Sequence, residues 1–146
     1  MDRRAFVELA MLGGAATLFA PKLVSASSGD SALKSNMAGG VYYTKEAPGR
    51  WSKKVAGHEP KIEKKAGSDG KTEIIVTTAH GMKAWEHYIV KHMLLDKDFN
   101  FIAEKMFDPT KDKKPVSTFK LDKYKGPLYA LSMCNKHDCW VAVITV

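Results

Sequence analysis

Proline and glycine punctuate this chain too often for long helices to form between them. After Pro48-Gly49 come Pro60, the glycines of the 67–70 stretch, Gly81, Pro109, Pro115 and Gly126-Pro127. Proline fixes φ and lacks an amide donor, and glycine weakens the interior of any regular element, so both mark turns. The runs between them are short and rich in β-branched and aromatic residues: TEIIVTT at 72–78, EHYIVKHML at 86–94, NFIAEKMF at 100–107, VSTFKL at 116–121, LYALSM at 128–133 and WVAVITV at 140–146. With a further run at 60–65 they predict about seven strands. Short strands with frequent turns are the pattern of an all-β antiparallel sandwich. The chain has 146 residues, 45% of them apolar, enough for one buried core.

The first 26 residues differ from the rest. Arg3-Arg4 is followed by Ala5-Phe6-Val7, an apolar run from Leu9 to Ala20, and Val24-Ser25-Ala26. This is the make-up of a signal peptide cleaved after Ala26. Glu8, Gly13 and Gly14 interrupt the run, which falls short of the roughly 18 apolar residues that a membrane span needs. The paired arginines resemble a twin-arginine signal, which exports proteins already folded and so implies a cofactor loaded before export; an ordinary export signal that carries two arginines is the other reading. The expected organisation is a signal peptide over 1–26, a flexible Ser/Gly/Ala-rich arm over 27–40 and one domain over 41–146, located in the periplasm.

Cleavage would take three cations and two anions from the formal charge of +7 and leave the domain basic. A basic surface suits nucleic acid, an anionic membrane or the steering of a small anion. Export, and lysines scattered from Lys53 to Lys123 without a dense block, argue against nucleic acid.

Cys134 and Cys139 in an oxidising compartment first suggest a disulfide. Cys134-Asn135-Lys136-His137 also reads as a Cys-x-x-His unit, in which a thiolate and an imidazole from one turn can converge on a metal. All five histidines, His58, His80, His87, His92 and His137, fall in the domain, and His80 and His87 flank a glycine-containing turn. Any one loop histidine is ordinarily a solvated polar residue. Several of them with a thiolate suit iron, copper or zinc, whereas calcium and magnesium prefer oxygen. The residues themselves leave three readings: a catalytic metal protein, a non-catalytic periplasmic copper or zinc carrier or electron-transfer protein that also uses Met82 or Met133, and a structural module with a Cys134–Cys139 disulfide.

Three stretches resemble the superoxide reductases of the neelaredoxin and desulfoferrodoxin group. They are YTKEAPGRW at 43–51 followed by His58-Glu59-Pro60, then His80-Gly81-Met82 with Glu86-His87-Tyr88-Ile89, and last Cys134-Asn135-Lys136-His137 with Trp140. The resemblance implies an immunoglobulin-like β-sandwich holding one mononuclear iron. The equatorial ligands would be His58, His80, His87 and His137, with Cys134 axial. Superoxide would take one electron and two protons at the open sixth position and leave as hydrogen peroxide, with Cys134 and His137 counted among the catalytic groups. It also implies a small electron-donor protein such as a rubredoxin or cytochrome, and it is compatible with a homo-oligomer.

The sequence departs from that pattern in two places. Where the family commonly has Glu-Lys before its first histidine, this chain has Ala56-Gly57, which leaves Lys53, Lys54, Lys61 or Lys83 to supply the lysine's charge. The His80–His87 turn is one residue longer than the family's usual spacing. His92, five residues beyond His87, is expected on the opposite face of its strand and outside the ligand set, with Cys139 a free or packed thiol.

Overall fold

Alternation of side chains builds the strands. In β5, Val116–Leu121, the residues Ser117, Phe119 and Leu121 are buried and those between them are exposed. In β2, Thr72–Thr78, Ile74, Val76 and Thr78 point inward in the same way. That is the period of two of a half-buried strand. The computed structural model describes residue 33 and residues 35–146; the expected signal peptide over 1–26 and most of residues 27–34 of the expected arm lie outside the described residues.

Among the described residues seven strands form two antiparallel sheets, as the runs predict. β1, Pro60–Ala66, pairs with β2, and β2 with β5. The second sheet has the order β4, β3, β6, β7, made of Phe101–Met106, Ile89–Leu95, Pro127–Cys134 and Asp138–Thr145. Between the sheets lies one cluster of Ile74, Val76, Leu94, Phe119, Leu121, Leu128, Ala130 and Val146. Each large aliphatic side chain there contributes about 1.5–3 kcal/mol by leaving water. The edge of β7 is covered by Tyr43, whose amide donates to the Cys139 carbonyl at 2.9 Å and whose carbonyl accepts from Val141 at 2.8 Å.

One expected boundary moves by more than two residues. The run at 86–94 begins as a strand only at Ile89, because Ala84, with φ of 43°, starts a 3-10 turn over Ala84–Glu86. His87 therefore precedes the strand, and counting residues from it does not fix the face of His92. His92 lies outside the site for another reason: it is fully buried between the sheets. Its ring hydrogen-bonds with Thr78 Oγ1 at 2.9 Å and Ser117 Oγ at 2.8 Å, and Thr78 Oγ1 with Ser132 Oγ at 2.7 Å. This network ties β2 and β5 of one sheet to β3 and β6 of the other.

Burial pushes the His92 pKa down to about 4 from 6.5. The folded protein therefore holds His92 neutral between pH 6.5 and about 4, where the unfolded chain protonates it. Stability falls as pH drops through that window, by about 3 kcal/mol in all from this one group. His92→Gln should flatten the pH dependence of the urea midpoint between pH 6.5 and 4 without changing metal content; an unchanged slope would mean that His92 is already charged or solvated in the native state.

Candidate metal centre

Strand register gathers the expected ligands at one end of the sandwich. Pro60 pairs with Thr78, which brings His58, just before β1, beside His80, just after β2. Ile89 pairs with Cys134, which brings His87 to the end of β6, and Cys134 pairs with Asp138 in the hairpin that carries His137. His58 closes a single helical turn, Val55–His58 (α1), that follows a 3-10 helix over Gly49–Lys54. Gly49, with φ of 46°, opens that 3-10 helix directly against the Gly39 backbone, where a Cβ would run into the Gly39 carbonyl oxygen.

One donor atom from each of His58, His80, His87, Cys134 and His137 lies within 4.8 Å of all the others. His80 Nε2 is 3.1 Å from His87 Nε2, His87 Nε2 is 3.1 Å from His137 Nδ1, and His137 Nδ1 is 2.9 Å from His58 Nε2. Cys134 Sγ lies 3.6 Å from His137 Nδ1 and 3.9 Å from His80 Nε2. Hydrogen bonding does not account for the convergence. His137 Nδ1 meets His87, His58 and Cys134 at once, while an imidazole nitrogen has one proton or one lone pair to offer. A cation does account for it, since imidazole donors bound at right angles at about 2.1 Å lie about 3.0 Å apart. The donor set, four nitrogens and one sulfur, fits iron and other borderline transition metals.

Outer contacts aim the rings. His58 Nδ1–H donates to the Lys54 carbonyl at 2.9 Å, leaving Nε2 free to bind, and His80 Nδ1–H donates to the Gly81 carbonyl. Trp51 packs edge-on against His137, ring centroids 4.7 Å apart, and its Nε1–H donates to Asp138 Oδ2 at 2.9 Å. Arg50 pairs with the same carboxylate.

Burial, chiefly, lowers the pKa of His58 to about 4 and moves those of His80, His87 and His137 in the same direction. The rings are therefore neutral and able to bind metal at pH 7. Burial raises the Cys134 pKa, opposed by the backbone N–H groups of Lys136 and His137; the Lys136 N–H lies 3.5 Å from Sγ. Metal binding would release the thiol proton. Cys134 and His58 are buried while His80, His87 and His137 are half-buried, so the cluster is closed on the sulfur side and reachable from the imidazole side.

The disulfide reading does not fit. Cys139 pairs with Met133 and Cys134 with Asp138, so the two cysteines face opposite sides of the sheet, and both are free thiols. Met133 shares the far face with Cys139, away from the cluster, and burial raises the Cys139 pKa to about 11. Of the candidate lysines, Lys54 lowers the pKa of three of the clustered histidines and Lys83 that of one. Lys136, which sequence reading passed over, lowers two.

The Asn135 side chain is a further working group that the sequence barely marks. Its Oδ1 accepts the Tyr88 N–H at 3.0 Å, its Nδ2–H groups donate to the Trp85 and Glu86 carbonyls at 3.2 and 3.1 Å, and its own N–H donates to the Tyr88 carbonyl at 3.2 Å. The residue after Cys134 thus clamps the segment on both sides of His87. The only sequence signal for it is its place inside the Cys-x-x-His unit.

The desulfoferrodoxin family model matches residues 50–143. Among solved structures, a variant of the superoxide reductase (neelaredoxin) from Ignicoccus hospitalis is 30% identical with a TM-score of 0.62, over 73% of this chain and 93% of that one. Another structure of that protein gives 29% and 0.60, over 73% and 94%. The superoxide reductase from Nanoarchaeum equitans, at 19% identity and a TM-score of 0.53 over 62% and 94%, shares the fold alone. No curated protein matches the chain.

Asn135→Ala should lower metal affinity about tenfold or more while the sandwich stays folded. Metal competition with a chelator, beside far-UV circular dichroism, measures both; unchanged affinity would show that His87 is held without the clamp.

Proposed function

The chain belongs to the desulfoferrodoxin family, and from that premise we propose that it is an exported, iron-dependent superoxide reductase. The observation that carries the reading is the convergence of His58, His80, His87, His137 and Cys134 on one point with no hydrogen-bonding explanation. The signal peptide over 1–26, the arm over 27–40 and a periplasmic location belong to the same proposal and rest on the sequence.

Iron, when bound, would supply the single electron that converts superoxide to peroxide. The protein's residues prepare for it. Four neutral imidazoles would hold the cation without cancelling its charge, and Cys134, with N–H groups of its own turn directed at the sulfur, would add one negative charge from the buried side once its proton is released. The loaded site would stay net positive toward an arriving anion. Protons for the peroxide would come from solvent on the half-buried imidazole side.

Lys54 would assist. It lies three residues before Gly57, one helical turn back along the segment that ends in His58, and its charge reaches His80, His87 and His137. It would serve in place of the lysine that Gly57 lacks, with Lys83 and Lys136 adding to the field. A side chain at 57 has room, since a Cβ there meets only the Ala79 carbonyl at an ordinary 3.6 Å.

Pulse radiolysis of the reduced, iron-loaded protein tests both points. Superoxide should be consumed with one peroxide formed for each. Lys54→Ala should slow the second-order reaction roughly twofold to fivefold and Gly57→Lys should quicken it by a similar factor, both effects fading as salt rises. Evolution of oxygen, or no reaction at a fully loaded site, would contradict the function; identical rates in the variants would remove lysine steering alone.

A further inference from the structure

On the reading above each turnover would leave the centre one electron short, and nothing in the described residues stores another. Next to the cluster the surface carries a feature that binding superoxide does not explain. Trp85, two residues before His87, is 61% exposed, its ring edge-on to Tyr88 at 5.5 Å between centroids. An exposed indole is unfavourable in water and is the side chain most often found anchoring a protein interface. It is held out by a strained turn, with Ala84 at φ of 43°, and that turn is clamped by Asn135. A diatomic anion has no use for a ring of this size.

The surrounding charge selects the partner. Lys83 and Lys136 are exposed and lie near enough to His87 to lower its pKa, and Lys136 makes only a solvent-exposed pair with Glu86 at 3.5 Å. Without residues 1–26, which carry three cations and two anions of the formal +7, the domain keeps a charge of +6, which attracts an acidic partner. The Trp85 carbonyl is hydrogen-bonded to Asn135, which is covalently joined to Cys134. The exposed ring and the sulfur are therefore linked through the Trp85 backbone carbonyl, one hydrogen bond to the Asn135 side-chain amide, and the chain from Asn135 back to Cys134.

We propose that Trp85, flanked by Lys83 and Lys136, is the docking face for a small acidic one-electron carrier protein, and that the electron enters through Asn135 to Cys134. The proposal rests on the superoxide-reductase reading above. One electron passes from carrier to centre, so the carrier is oxidised by one and the centre reduced by one, with no bond made or broken.

The test titrates the iron-loaded protein with a purified acidic rubredoxin by calorimetry at several salt concentrations. Binding should weaken steeply with salt. Trp85→Ala should raise Kd about tenfold or more, Trp85→Phe should recover most of that loss, and Lys83→Glu should weaken binding and flatten the salt dependence. Iron content, measured alongside, confirms an intact site in each variant. Failure of the wild type to bind at low salt, or equal binding by Trp85→Ala with its iron in place, overturns the docking face. Superoxide consumption by the reduced wild type needs no carrier, so a failure there removes the functional reading, while success there with equal carrier binding removes the docking face alone.

Discussion

Three antiparallel pairings that end at the same rim of the sandwich determine the site. Pro60 opposite Thr78, Ile89 opposite Cys134 and Cys134 opposite Asp138 set where five metal-binding side chains stand, because each ligand is the last residue of a strand or lies within a few residues of its end. A slip of one residue in any pairing would turn the strand's side chains to the other face. The register is protected from inside by the fully buried network around His92, which joins Thr78, two residues before His80, to Ser132, two residues before Cys134. A half-satisfied polar network in the core is costly, so this one favours a single alignment of the two sheets.

The rim then carries an imbalance. Four neutral imidazoles and a buried thiol direct their donor atoms at one point, and none of them supplies a counter-charge. Burial keeps the rings unprotonated, which prepares them for a cation and penalises every other way of charging the pocket. Around this point the chain closes a second layer: Lys54 and Gly81 carbonyls fix two rings, Asn135 fixes the segment of a third, and Trp51 with Asp138 backs the fourth. Rigid outer contacts hold first-layer donors at the separations a metal requires.

Much of this was legible in the sequence. The strand runs at 72–78 and 116–121 match β2 and β5 because their alternation is clean, with one face buried and one exposed. The run at 86–94 misled at its start because Ala84 takes a positive φ that a non-glycine residue rarely adopts, and no pattern marks it. The five residues brought together are those that the family resemblance names. The supporting contacts were not legible, because Asn135 acts on backbone atoms about 50 positions away and the charges of Lys54 and Lys136 depend on where the rim folds. A count from His87 does not place His92, because His87 is not on its strand; what keeps His92 out of the cluster is its place between the sheets.

X-ray absorption at the iron edge of the reduced, reconstituted protein tests the central claim most directly. One iron per chain with a shell of four nitrogen scatterers and one sulfur, the sulfur lost in Cys134→Ala and kept in Cys139→Ala, is the expected result. A shell of nitrogen and oxygen with no sulfur in the wild type would contradict it, as would a sulfur contribution that survives Cys134→Ala.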